Sequence, residues 1–316
     1  MDFQERMERV RKWTDKLEAG ITDLFQSDQY TAYLRAISKL HQYSYGNILL
    51  IKLQCPHFSM VAGYGDWRRK YGRHVKAGET GITILAPCPY WTREEVEETG
   101  PDGQTVREEK CVRKIGFTTA TVFDISQTEG REVPSLGVEA LTGNVEGYEK
   151  LLSTLKTLSP VPVAEGALPP GVHGAYHHLE ARITLSPGMS QAQTVKTLIH
   201  EIAHAKLHAL PVGGGIIVGA HEKGRPTREV EAESVAYTVC QYLGLDTGDY
   251  SFGYIAGWSS GKEQRELRAS LDCIRSTAAE LISGIERQCL DRPSPEPAFK
   301  HQRRRTSQSV PKLQTR

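Results

Sequence analysis

The residues that invite chemistry are His200-Glu201-Ile202-Ala203-His204. On an α-helix, side chains four positions apart share a face about 6 Å apart along the axis, so two imidazoles at this spacing can converge on one ion. Glu201, beside the first histidine, is placed to reach a water next to that ion rather than the ion itself. This is the H-E-x-x-H arrangement of metal-dependent peptide hydrolysis, with the glutamate as general base. Val195, Leu198, Ile199, Ile202 and Ala203 recur at helical period, and Ser190 is an apt N-cap. Pro211 and three glycines stop the run near Leu210.

A catalytic zinc takes three protein ligands. His208 comes next on the same face but lies about 12 Å along the axis from His200, too far for one ion to bind both at about 2.1 Å. A carboxylate from a second helix fits better. Residues 229–236 read Glu-Val-Glu-Ala-Glu-Ser-Val-Ala, in which Glu229 and Glu233 share one face and Glu231 points away from both. His177, His178 and Tyr254 are further polar groups able to stabilise an oxyanion.

A second cluster lies in residues 60–80. Trp67, Arg68, Arg69, Tyr71, Arg73 and Lys76 interleave cations with rings. Cations track phosphates and flat rings stack bases, which is what single-stranded nucleic acid requires of a protein.

These groups need elements to hold them. Residues 1–55 carry a helical pattern, with Ser44 as N-cap of its last run and Pro56 as its end. Short β-like runs follow at Ser59–Ala62, Gly81–Pro87 and Arg113–Ile125, with Pro101-Asp102-Gly103 as a turn. Val145–Leu158 is helical, Val161–Ala164 and His177–Leu185 are β-like, and helices are expected at about 227–243 and 262–288. The fold class is α+β in two domains: 1–130, a linker at 131–144, and 145–290. The tail 291–316 holds seven Lys or Arg and no apolar pattern, and is expected to be disordered.

The net charge of +1 over 316 residues excludes a global pull toward nucleic acid, so such binding must be local. No apolar run is long enough for a membrane span, and Met1–Arg11 lacks the apolar stretch of a leader. The six cysteines are scattered without C-x-x-C pairs, which fits a reducing cytoplasm.

Two family resemblances sharpen these expectations. Glu229, Ala232, Glu233 and Ala236 follow the second-helix pattern of the ImmA/IrrE-like zincin peptidases, a resemblance that implies Glu229 as third ligand. Glu233 would then accept from a histidine N–H. In such a zincin, the strand His177–Leu185 would be the edge that holds an extended peptide. The stretches Tyr43–Ile51, Val61–Tyr64 with Trp67, Gly72–Ile82 and Val122–Thr128 resemble the N-terminal domain of ArdC-type antirestriction proteins. Gly46 stands where a basic residue is expected before Asn47. The combination implies a single-stranded-DNA-binding module fused to a metallopeptidase-like domain, carried by a mobile element. It implies one Zn2+ per chain, a protein or peptide substrate and no membrane partner; the oligomeric state is left open. The alternatives are a non-catalytic single-stranded-DNA-binding protein with a structural zinc, and a peptidase that cleaves a regulatory protein.

Overall fold

The computed structural model describes residues 3–99, 105–133, 145–209, 223–245 and 252–290. The chain opens with three helices, α1 (Phe3–Leu24), α2 (Ser27–Leu40) and α3 (Tyr45–Gln54). Ser44 caps α3, its hydroxyl accepting from the Asn47 N–H at 3.3 Å. Gly46 is a packing position: a Cβ there would lie 2.9 Å from Leu17 Cδ2, so a side chain at this point of the contact between α1 and α3 would have to displace Leu17.

A mixed region follows: β1 (Val61–Gly63), α4 (Tyr64–Tyr71), β2 (Arg73–Val75), β3 (Ile82–Thr99), β4 (Thr105–Asp124) and β5 (Thr128–Gly130). β4 lies between β1 and β3, and β2 pairs with β5, all antiparallel. Two amides of α3 cover part of the free edge of β3. The Asn47 side chain donates to Leu85 O and accepts from Leu85 N–H, and Gln54 does the same with Thr83. This removes the unpaired backbone groups that an edge strand presents.

The second half comprises α5 (Val145–Leu158), β6 (Val163–Glu165), β7 (Gly174–His177), β8 (Arg182–Leu185), α6 (Gln191–Leu207), α7 (Arg225–Tyr242), the short α8 (Ile255–Ser259) and α9 (Gln264–Cys289). Ser190 caps the motif helix α6, its hydroxyl accepting from the Gln193 N–H. The α7 helix is buried on nearly all sides, with Val230, Val235, Ala236 and Val239 at zero exposure.

One buried apolar cluster runs from Ile21 in α1 to Cys289 at the end of α9. Tyr30 of α2 bonds Ser234 of α7 at 2.7 Å, and Arg35 donates to the Tyr237 hydroxyl at 2.9 Å. Among the described residues, no helix is long and apolar enough to cross a membrane.

Two expectations change. The strands expected at Gly81–Pro87 and Arg113–Ile125 are the inner parts of a much longer hairpin, Ile82–Thr99 against Thr105–Asp124. Beyond the core none of the described residues of its outer part is buried, and Tyr90, Trp91 and Arg93 are exposed, so the apolar alternation of a half-buried strand is missing there. The run His177–Leu185 is not one edge strand. It turns at residues 178–181, with Ala181 at φ 47°, and Arg182–Leu185 becomes the central strand, paired on both sides. The edges are Val163–Glu165 and Gly174–His177, and the latter is the one beside the motif helix. The turn Pro101-Asp102-Gly103, residues 134–144 of the expected linker and the tail 291–316 lie outside the described residues.

Candidate metal centre

The metal-ligand geometry starts from one turn of α6. His200 and His204 turn their Nε2 atoms toward each other, 3.0 Å apart. Glu229, in the first turns of the neighbouring α7, brings Oε2 to 3.7 Å from His200 Nε2 and 3.6 Å from His204 Nε2. One ligand atom from each of the three residues lies within 4.8 Å of the others, a spacing that a single ion with bonds of about 2.1 Å can draw together. The donor set, two neutral-capable imidazoles and one carboxylate, fits a divalent cation.

The electrostatics agree. The imidazoles of His200 and His204 beside it hold the Glu229 carboxyl well below the usual carboxylate range. Burial alone would lower the His200 pKa, but Glu229 and Glu201 outweigh it and the net shift is upward. Glu201 is 7% exposed, and burial pushes its pKa up against the pull of His200 and His204. A carboxylate so placed is a better proton acceptor than one in water.

The edge strand β7 fixes Glu201. The Tyr176 backbone N–H, facing Glu201 from this strand, works against burial and lowers its pKa. Gly174 allows the close approach: a Cβ there would sit 2.4 Å from Thr197 Cγ2 and 3.0 Å from Glu201 Cγ. An open cleft lies over the site, with His173, Gln193, Lys196 and Glu233 on its walls.

The remaining sequence candidates fall in several places. Glu233 accepts a short hydrogen bond from the Tyr254 hydroxyl, so Tyr254 reaches the rim of the site through it. His177 bonds Thr184 at 3.1 Å, and His178 packs edge-on against Tyr176. His208 and Glu231, set aside as ligands on helical spacing, lie directly behind the site. His208 Nδ1 is 3.0 Å from His204 Nδ1, and His208 Nε2 is 3.0 Å from Glu231 Oε2. Burial lowers the pKa of His208. No sequence spacing reveals this pair, because it depends on how α7 docks on α6.

The cluster of residues 60–80 is largely occupied in holding the fold. Trp67 has zero exposure and its indole N–H donates to Phe123 O at 2.9 Å, so it has no free face for a base. Tyr71 packs against Trp67 with ring centroids 5.1 Å apart. The Arg73 guanidinium donates to Thr128, Gly130 and Arg131, and Lys76 Nζ donates to Ser126 O. Arg69 pairs with Asp66, while Arg68 is exposed. Within the cluster Tyr64 is exposed, and the exposed rings that sequence reading missed include Tyr90, Trp91 and Phe117.

Comparison with known proteins places the first half. Residues 4–123 match the family described as the N-terminal domain of anti-restriction factor ArdC. An uncharacterized protein of Bacillus anthracis is 27% identical over 330 residues, an alignment covering 89% of this chain and 52% of that protein. The chain therefore spans about half the length of the curated relative it matches. Two crystal structures of the antirestriction ArdC protein from the R388 plasmid are also similar. The metal-free one is 18% identical with a TM-score of 0.43, covering 78% of this chain and 85% of that one. The Mn(II)-bound one is 16% identical with a TM-score of 0.41, covering 77% and 84%.

The expectation of one Zn2+ per chain is corrected. Nothing in the present site singles out zinc. The physical reason is the donor set: two imidazoles and a carboxylate, without a thiolate, suit several first-row divalent ions, and only their number and geometry were legible in the spacing.

Proposed function

We propose that this chain is an ArdC-type antirestriction protein of a mobile element. In this reading it binds single-stranded DNA through its N-terminal half and carries a divalent-metal centre in its C-terminal half. The observation that supports it most is the match of residues 4–123 to the N-terminal domain of anti-restriction factor ArdC. A strand of DNA needs rings it can reach and cations near them. Trp91 and Phe117 share one face of the β3–β4 hairpin, with Arg113 opposite Trp91 in register. These residues, with Arg68, are better placed for contact than Trp67, Arg73 or Lys76. The experiment is fluorescence anisotropy of labelled single-stranded DNA with the full chain across a salt series. Binding should weaken with salt by about 0.7 in slope for each phosphate neutralised. Absence of binding at low salt would remove the reading.

A second reading, favoured by the placement of Glu201, is peptide hydrolysis at the same centre. A divalent ion held by His200, His204 and Glu229 would supply Lewis acidity to the scissile carbonyl. Glu201, 7% exposed and packed against Gly174 of the edge strand, would take the proton of the attacking water and deliver it to the leaving amine. The edge strand Gly174–His177 would pair with an extended peptide and set it over the cleft. Glu201→Gln should keep Mn(II) and lose hydrolysis of a denatured protein substrate. Hydrolysis that survives this change would leave the centre a structural one.

A further inference from the structure

Behind His204 stands a chain of buried polar groups that metal binding alone does not explain. His204 Nδ1 meets His208 Nδ1 at 3.0 Å, and His208 Nε2 meets Glu231 Oε2 at 3.0 Å. The Glu231 side chain has zero exposure and takes two more donors, Lys223 Nζ at 2.7 Å and Ser270 Oγ at 2.7 Å, both on Oε1. The groups come from separate elements: His208 from the end of α6, Glu231 from α7, Ser270 from α9, and Lys223 from just before α7.

With His208 neutral, donor and acceptor logic assigns the protons along this chain. An ionised carboxylate only accepts, so His208 Nε2 carries a hydrogen and donates to Glu231. Lys223 balances the Glu231 charge, so His208 need not be cationic. In neutral His208, Nδ1 is a lone pair, and His204 Nδ1 must donate to it. His204 is left with an Nε2 lone pair, which faces His200 Nε2 at 3.0 Å on the side where Glu229 converges.

We propose that His208 and Glu231 form a positioning relay that holds His204 in the Nδ1–H tautomer and aims its Nε2 at the metal. Ligand histidines are commonly oriented by a carboxylate or carbonyl on the far nitrogen. Here a second histidine is interposed, which extends the support one residue deeper and ties the ligand to Ser270 of α9. The relay rests on the reading of His200, His204 and Glu229 as a metal centre. It also accounts for a histidine on the ligand face that lies too far along the helix to bind the ion.

The test uses the full chain as wild type, His208→Phe and His208→Asn. Mn(II) affinity is measured by calorimetry, melting temperature is measured without metal, and the His204 tautomer is read from long-range 1H–15N spectra of the metal-free protein. The Phe variant should bind Mn(II) about 10–100-fold more weakly, the usual cost of losing such a partner. The Asn variant, whose side-chain oxygen falls near the former Nδ1 position, should recover much of that affinity and keep the Nδ1–H signature. Equal affinity in wild type and the Phe variant would overturn the relay, as would an Nε2–H tautomer of His204 in wild type. Should the Phe variant fail to fold, the wild-type tautomer still decides. Wild type that shows the Nδ1–H tautomer yet binds no Mn(II) would keep the relay's geometry and overturn the metal reading instead.

Discussion

Glu229 and Glu233 share a face of α7, four residues apart, yet have different partners. Glu229 faces both histidine Nε2 atoms, while Glu233 accepts from Tyr254. Glu229→Ala should therefore lower Mn(II) affinity much more than Glu233→Ala, since a direct ligand outweighs a neighbour. Calorimetry on the two variants checks this, and the reverse order would move the ligand to Glu233. Trp67 supplies a second prediction at this scale. Its complete burial means that Trp67→Ala should cost about 3–5 kcal/mol of stability in urea unfolding. A variant as stable as wild type would contradict the core role. The His200–Glu201–His204 set was legible because helical spacing is local. The burial of Trp67, and of Glu231 behind His204, was not, since a run of cations and rings or a glutamate between two others reads the same in solvent or in a core.

Elements set how far sequence could reach. The caps Ser44 and Ser190 were readable because a cap acts within three residues, and both accept the expected N–H. The outer hairpin and the turn between β7 and β8 were not. The hairpin's period-2 signal fades where both faces meet water, and residues 178–181 reverse the chain with no proline or glycine to announce it. The strand order that resulted puts Gly174 directly against Thr197 and Glu201 of the motif helix. Gly174→Ala would push a methyl into Thr197 and Glu201. It should displace Glu201 and reduce any Glu201-dependent hydrolysis at least 10-fold, because a small misplacement of a reacting group is costly. Mn(II) affinity should change little, as none of the three ligands is touched. Full hydrolysis by this variant would show that the contact relaxes without moving the base.

At the scale of the whole molecule, the first three helices are not a separate cap on the second half. Tyr30, Ile37 and Leu40 join the same buried cluster as Ile199, Val235 and Ile274. Arg268 of α9 reaches Glu18 of α1 at 2.8 Å. Fragment 1–130 alone would expose that apolar face to water and should unfold at a lower temperature than the full chain, as followed by circular dichroism. A fragment melting with the full chain would show that the shared cluster contributes little. The arrangement couples the half resembling the ArdC N-terminal domain to the half that carries the His200, His204 and Glu229 cluster, so function is best measured on the intact protein. The most direct measurement is transfer of an unmodified plasmid, entering as a single strand, into a restricting recipient with and without this protein. The account predicts that the full chain raises transfer, and that Trp91→Ala combined with Arg113→Ala lowers this protection together with single-strand affinity. Transfer unchanged by a folded, expressed protein would contradict it.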